Sequence, residues 1–249
     1  MKVICKNFKR YFSSAILVVL IATLTISYAL LTDFYNDSLK ASKNENNIRT
    51  ENVFVIDAGH GGIDGGAVGE SGILEKDINL LISKNVLDLL SISNIKARST
   101  RNDDKLLYDE NDNRSKKPQD VRNRVEFANQ FTNPIFISIH QNKFPISKYS
   151  GLQVYYSKNN EQSKLLAELI QSTVKKHLQN DNNREIKESG SSIYVLKALE
   201  CPAVLVECGF LSNPQEEKLL SDANYRKKLA ICIVSSIMRY EDTIINRKE

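Results

Sequence analysis

Two histidines and two carboxylates sit where an apolar run gives way to polar sequence. Val53-Phe-Val-Ile-Asp-Ala-Gly-His60 leads into a glycine-packed loop, and Ile137-Ser-Ile-His140-Gln-Asn142 and Val206-Glu207-Cys-Gly209 end two further runs. The fourth group, Glu75, opens a helical pattern in Leu74-Glu75-Lys76-Asp77. Two neutral imidazoles and one carboxylate make a donor set used by catalytic zinc sites, with a fourth position left for water. His60, Glu75 and His140 fit that set, with Glu70 a competing carboxylate. Glu207 then remains as the acid–base group, taking a proton from water and handing it to a departing amine. A buried strand that ends in an acid needs a partner or a function for it. The third histidine, His177, follows two lysines and reads as solvated surface.

These groups meet only if the strands carrying them run parallel, because α/β sheets gather their sites at the strands' carboxyl edge. The patterning supports this. Strands are expected at Val53–Ile56, Ile95–Ser99, Ile135–Ile139, Leu152–Tyr156, Ile193–Leu196 and Ala203–Val206. Between them runs helical periodicity, with one face made by Ile78, Leu81, Ile82, Val86, Leu89 and Leu90. Val121, Val125 and Ala128 make a second face, and Leu165, Leu166, Leu169, Ile170 and Val174 a third. Asn213-Pro214 is an N-cap followed by proline at the first helical position. A last helix carries Leu229, Ile233, Ile237 and Met238. The expected fold is α/β: one domain with a mostly parallel six-stranded sheet flanked by helices. Residues 103–120 read as its main surface loop. Seven of the ten glycines fall between Gly59 and Gly72. That concentration suits a loop that must turn sharply or let backbone approach a site closely. A P-loop is excluded by the missing Gly-Lys-Ser/Thr, and the spacing is not that of a dinucleotide fingerprint.

The first 32 residues stand apart. Lys2, Lys6, Lys9 and Arg10 precede an uncharged run from Tyr11 to Thr32, long enough as a helix to cross a ~30 Å hydrocarbon core. An N-terminal hydrophobic helix with a basic flank orients the following domain outward. Its length fits a retained membrane anchor, and Ser27-Tyr28-Ala29 also fits a signal-cleavage pattern. Both readings export residues 53–241, the expected catalytic domain, beyond a polar tether at 33–52; residues 242–249 read as a tail. Four of the 34 basic residues and none of the 30 acidic ones precede residue 33, so the remainder carries 30 of each. A formally neutral domain gives no electrostatic case for nucleic acid. Of the four cysteines, Cys201, Cys208 and Cys232 fall in the domain, an odd set read as small buried hydrophobes rather than a disulfide scaffold.

Taken in order, Asp57-Ala-Gly-His-Gly-Gly-Ile-Asp-Gly-Gly-Ala67, Glu75-Lys76, Thr100-Arg101, Arg124 with Ala128-Asn129, Ser138-Ile-His-Gln-Asn142 and Val206-Glu-Cys-Gly-Phe-Leu-Ser-Asn213 resemble the zinc-dependent N-acetylmuramoyl-L-alanine amidases. The resemblance spans Val53 to Tyr240. It implies Zn2+ held by His60, Glu75 and His140, with Glu207 as catalytic carboxylate and Asn142 and Arg101 as substrate-binding residues. It implies hydrolysis of the amide joining muramic acid to L-alanine in peptidoglycan. A lone catalytic domain behind a hydrophobic segment is most similar to the germination-specific branch, which prepares muramic-δ-lactam in the spore cortex. Two departures, Ala58 where many relatives have proline and Gln141 where many have alanine, touch no expected ligand. No site-plugging insertion is present, so a regulatory partner protein is the expected restraint. The rival readings are a zinc peptidase or deacetylase acting on muropeptides, and a non-enzymatic wall-binding protein.

Overall fold

Strand β1 (Val53–Ala58) is buried along its whole length, as a continuous apolar run at the centre of a parallel sheet should be. The structure, a computed structural model, describes residues 52–108 and 115–246 together with scattered helical positions between Thr23 and Asp33. Most of the expected N-terminal hydrophobic helix and tether lies outside the described residues. Among the described residues no helix is long and apolar enough to cross a membrane.

Five more strands complete one sheet: β2 (Ala97–Ser99), β3 (Pro134–Asn142), β4 (Gln153–Tyr156), β5 (Lys187–Glu188) and β6 (Ala203–Phe210), ordered β2-β1-β3-β6-β4-β5. Strands β2, β1, β3 and β6 are mutually parallel, and β4 joins β6 antiparallel. The helices are α1 (Glu75–Ile92), α2 (Lys116–Asn129), α3 (Glu161–His177), α4 (Tyr194–Ala198), α5 (Pro214–Ser221) and α6 (Ala223–Asn246). Side chains alternate across the sheet. Phe54, Ile56, Ile137, Ile139, Val204 and Val206 join the larger core with residues of α1, α3 and α6. Val55, Phe136 and Leu205 face the other way and join α2 and α4. By the same alternation Asp57, Ser138, His140 and Glu207 fall on the α2 side. Asn213 caps α5 through its side chain, with Pro214 at the helix start.

The expected fifth strand, Ile193–Leu196, is the wrong segment. Only Ile193 of that segment is extended; residues from Tyr194 form α4, where Val195, Leu196 and, just past its end, Leu199 are buried while Tyr194 is exposed. That i, i+1, i+4 spacing is helical, and a short β-branched run disguised it. The fifth strand is instead the exposed pair Lys187–Glu188, hydrogen-bonded beside Tyr155 and Tyr156. An edge strand without apolar residues carries no periodic signal. Part of the expected 103–120 loop is helix: α2 begins at Lys116, and Gln119, Asp120 and Leu106 are buried. Leu81 and Met238, assigned to packed faces, are 43% and 38% exposed, and on α1 Asn79 and Ser83 occupy the buried face instead. Helix α6 runs on to Asn246 with Ile244 buried, so the packed domain extends past residue 241. Cys201, Cys208 and Cys232 are all free.

Candidate metal centre

The strands carry their polar groups further than the apolar pattern alone requires. Strand β3 continues through His140 to Asn142, and β6 continues through Glu207 to Phe210. His140 and Glu207 are register partners, and the β3–β6 ladder shifts between His140 and Asn142. Such an irregularity re-aims side chains at a sheet edge. His60 follows β1 with a φ of 61°. That left-handed conformation is uncommon for any residue but glycine, so the surrounding loop must hold it.

Glu75 is the hub. It is 4% exposed in the first turn of α1, and its carboxylate turns back toward the sheet. Oε1 accepts from the Gln141 backbone at 3.0 Å and lies 2.8 Å from His140 Nδ1. Oε2 accepts from the Ala67 backbone at 2.8 Å and lies 3.2 Å from His60 Nε2. The ligand atoms of His60, Glu75 and His140 all lie within 4.8 Å of one another. On its far side, His60 Nδ1 is 2.8 Å from Asp64 Oδ2, a partner that fixes which ring nitrogen faces the cluster. Two glycines make room. A Cβ on Gly59 would stand 2.2 Å from His140 Nε2, and one on Gly66 would stand 2.6 Å from Glu75 Oε2.

The electrostatics suit a cation. Burial raises the Glu75 pKa, but hydrogen bonds and charge from His140 and His60 outweigh it and hold the carboxyl well below the usual range. Burial opposes protonation of His60, yet Glu75 and Asp64 together raise its pKa. Two imidazoles and a carboxylate aimed at one point, with a second carboxylate behind, fit a divalent metal of zinc's type. Glu207 differs from all of these. Burial pushes its pKa up to about 7, with Glu75 adding to the rise and the imidazoles opposing it. Its Oε2 is buried and has no hydrogen-bond partner among the described residues.

Residues 54–239 match the N-acetylmuramoyl-L-alanine amidase family Amidase_3. The chain belongs to that family. The enzyme is 36% identical over 190 residues to the germination-specific N-acetylmuramoyl-L-alanine amidase of Bacillus subtilis, covering 76% of this chain and 79% of the relative. It is 32% identical over 240 residues to the Escherichia coli amidase AmiA, covering 79% and 78%. The solved CwlD amidase of Clostridioides difficile, in complex with the GerS lipoprotein, superposes with a TM-score of 0.73 at 42% identity. That match covers 77% of this chain and 98% of that one. The protein is thus a hydrolase of peptidoglycan, an N-acetylmuramoyl-L-alanine amidase.

Of the expected site residues, His60, Glu75, His140 and Glu207 converge at the sheet edge, and Asn142 ends β3 beside them. Glu70, the competing carboxylate, is exposed and outside the cluster. Arg101 does not face substrate. It is 2% exposed, and its guanidinium is used up on the carbonyls of Ala58, Gly59, Lys76 and Asp103. There it pins the glycine loop to α1. Three supporting residues had no role assigned from sequence: Asp64 behind His60, Asn79 donating to Glu75 and to the Gly59 carbonyl, and Gln141 donating to Asn79. Asp64 alone carried a signal, an acid four residues after His60 inside the glycine loop.

Proposed function

We propose that the enzyme is an exported zinc amidase that removes stem peptides from spore-cortex peptidoglycan, leaving the peptide-free muramic acid from which muramic-δ-lactam forms. The observation that carries the chemistry is the His60, Glu75 and His140 cluster, with Glu207 in register beside His140. His60, Glu75 and His140 would hold the ion, which when bound supplies Lewis acidity, acidifying water and polarising a carbonyl. Glu207 accepts the proton of the attacking water as the new C–O bond forms. It returns that proton to the L-alanine nitrogen as the C–N bond breaks. A carboxylate poised near neutrality by burial suits both transfers. Asp64 keeps the His60 ring in one tautomer, and Asn142 lies at the β3 end where substrate would reach Glu207.

The cortex assignment is supported by the likeness to a germination-specific amidase. Export is supported by the basic flank and uncharged run of residues 2–32, which also make a membrane anchor the simplest tether. A regulatory partner is supported by the relative solved with a lipoprotein. The test is to digest purified cortex and vegetative sacculi in parallel with the zinc-loaded full chain and to analyse the products by mass. Whole stem peptides and peptide-free glycan, released faster from cortex, are expected. Cuts within the peptide, or loss of acetyl groups alone, would replace this reading with the peptidase or deacetylase one.

A further inference from the structure

Among the described residues one cation beside the site pairs with no carboxylate. Arg184, in the segment between α3 and β5, is half-buried and held from three sides. Its Nε donates to the Ser150 carbonyl at 2.8 Å and its Nη1 to Gln153 Oε1 at 2.9 Å. Its guanidinium stacks 4.4 Å above the Phe210 ring, with Tyr149 at 5.9 Å. Among the described residues no acceptor meets Nη2. The nearby Glu216 carboxylate is spent on the Gly151 and Phe210 backbone amides. A fixed guanidinium with a free edge is pre-organised for a planar anion.

Its position relative to the chemistry is set by the sheet. Gln153, which Arg184 grips, is the register partner of Glu207 on the neighbouring strand. A cross-strand step of ~5 Å and one hydrogen bond therefore separate the guanidinium from the proposed acid–base carboxylate. The Tyr155 hydroxyl is within electrostatic reach of both: burial raises its pKa, with Glu207 adding to the rise and Arg184 opposing it. Two residues of extended peptide span ~7 Å. The muramoyl side of the scissile amide is uncharged sugar and lactyl group, whereas the peptide side carries free carboxylates. We propose that Arg184 is a specificity-determining residue, which binds the α-carboxylate of the stem peptide's second residue, on the leaving-group side of the bond.

The inference rests on the proposed amidase reading of the Glu207 site. Its test compares muramoyl-L-alanyl-D-isoglutamate with the D-isoglutamine counterpart, in which a carboxamide replaces that carboxylate, and reads the ratio of kcat/KM on the zinc-loaded enzyme. The wild type should favour the carboxylate roughly 10- to 100-fold, the range of a charge-assisted hydrogen bond. Arg184→Gln should bring the ratio close to one, with the loss carried in KM because the contact is remote from the reacting atoms. Arg184→Lys, which keeps the charge without the fork, should fall between. Both substrates meet the same preparation, so a loss of stability cancels from the ratio. A wild-type ratio near one overturns the inference even if neither variant folds, and so does a ratio that survives in Arg184→Gln. Cleavage of neither substrate by the wild type overturns the amidase reading itself, and the inference with it.

Discussion

Glu207 interrupts the apolar run of β6 with one carboxyl oxygen bonded to nothing among the described residues, while the other three site groups bond to one another. The amide oxygen and nitrogen of glutamine fill the same space without accepting a proton. Glu207→Gln should therefore retain zinc and lower kcat about 10²–10⁴-fold, the usual contribution of an acid–base group. Metal analysis beside turnover checks this, and full turnover would remove Glu207 from the mechanism. The same substitution has a stability consequence in metal-free protein. The folded-state pKa of about 7 lies above the ordinary value of 4.5. Between those values the folded state holds a proton that the unfolded chain has lost, so stability falls as pH rises through the window. Glu207→Gln should remove that slope and leave the metal-free protein on the order of 1–3 kcal/mol more stable at about pH 8, as measured by denaturant unfolding. Parallel stability curves for the two proteins would show that burial costs this carboxylate little. Glu207 was legible in the sequence because an acid after Ala203-Val-Leu-Val206 conflicts with its surroundings. Arg101 was misread because a cation near a site motif carries no mark of whether it points at substrate or at backbone.

Gly59 and Gly66 show how the elements set the site's dimensions. Strand β1 hands the chain to a loop lying so close to His140 that no side chain fits at Gly59. Gly59 has no left-handed φ, and the atoms nearest an added Cβ all belong to the His140 ring. Gly59→Ala should push the His140 ring off Glu75 and weaken zinc binding about 10–100-fold, the scale of disturbing a ligand's support. Competition with a chelator measures this. Unchanged affinity would mean that the loop, rather than the ring, gives way. The elements were legible to differing depths for a physical reason. Strands β1, β3 and β6 are buried on both faces, so an unbroken apolar run announced them. Helix α1 announced itself through its period. Strand β5 and helix α4 are short and peripheral; the first lacks apolar residues and the second is rich in them, so pattern alone missed the first and took the second for a strand. The side-chain alternation that puts His140 and Glu207 on one face follows from strand geometry once the pairing is known, but the pairing itself is not written in local sequence.

One buried polar network ties these elements into a single unit behind the site. Asp57, at the end of β1, accepts from Thr100 Oγ1 at 2.7 Å, from Ser138 Oγ at 2.6 Å and from Arg124 Nη1. Arg124 reaches from α2 to Asp120 and to the carbonyls of Ala58 and His60, each at 2.8 Å. Asp57 and Arg124 are almost wholly buried, and Arg124 is shared between Asp57 and Asp120. Removing one member of a buried pair costs ~3–5 kcal/mol when it strands the other, but Arg124 keeps its pairing with Asp120, which makes that figure a ceiling. Asp57→Asn should therefore lower stability by less, about 1–3 kcal/mol near neutral pH, the scale of a lost charge-assisted hydrogen bond. The pH dependence gives a sharper test. Burial raises the Asp57 pKa, but the Arg124 guanidinium, with the Ser138 and Thr100 hydroxyls, more than reverses the effect and leaves it depressed. A depressed carboxylate contributes stability that is fully present above its unfolded value of ~3.9 and is lost as pH falls through the lower folded value. Wild-type stability should therefore drop steeply below about pH 4, and the Asp57→Asn curve should be shallower there, the two converging toward the acid end. Denaturant unfolding across that range reads both slopes; parallel curves would assign the acid lability to other carboxylates. Because Arg124 also grips the His60 carbonyl, the variant should bind zinc more weakly at neutral pH, linking the fold's acid stability to the metal ligands through one guanidinium.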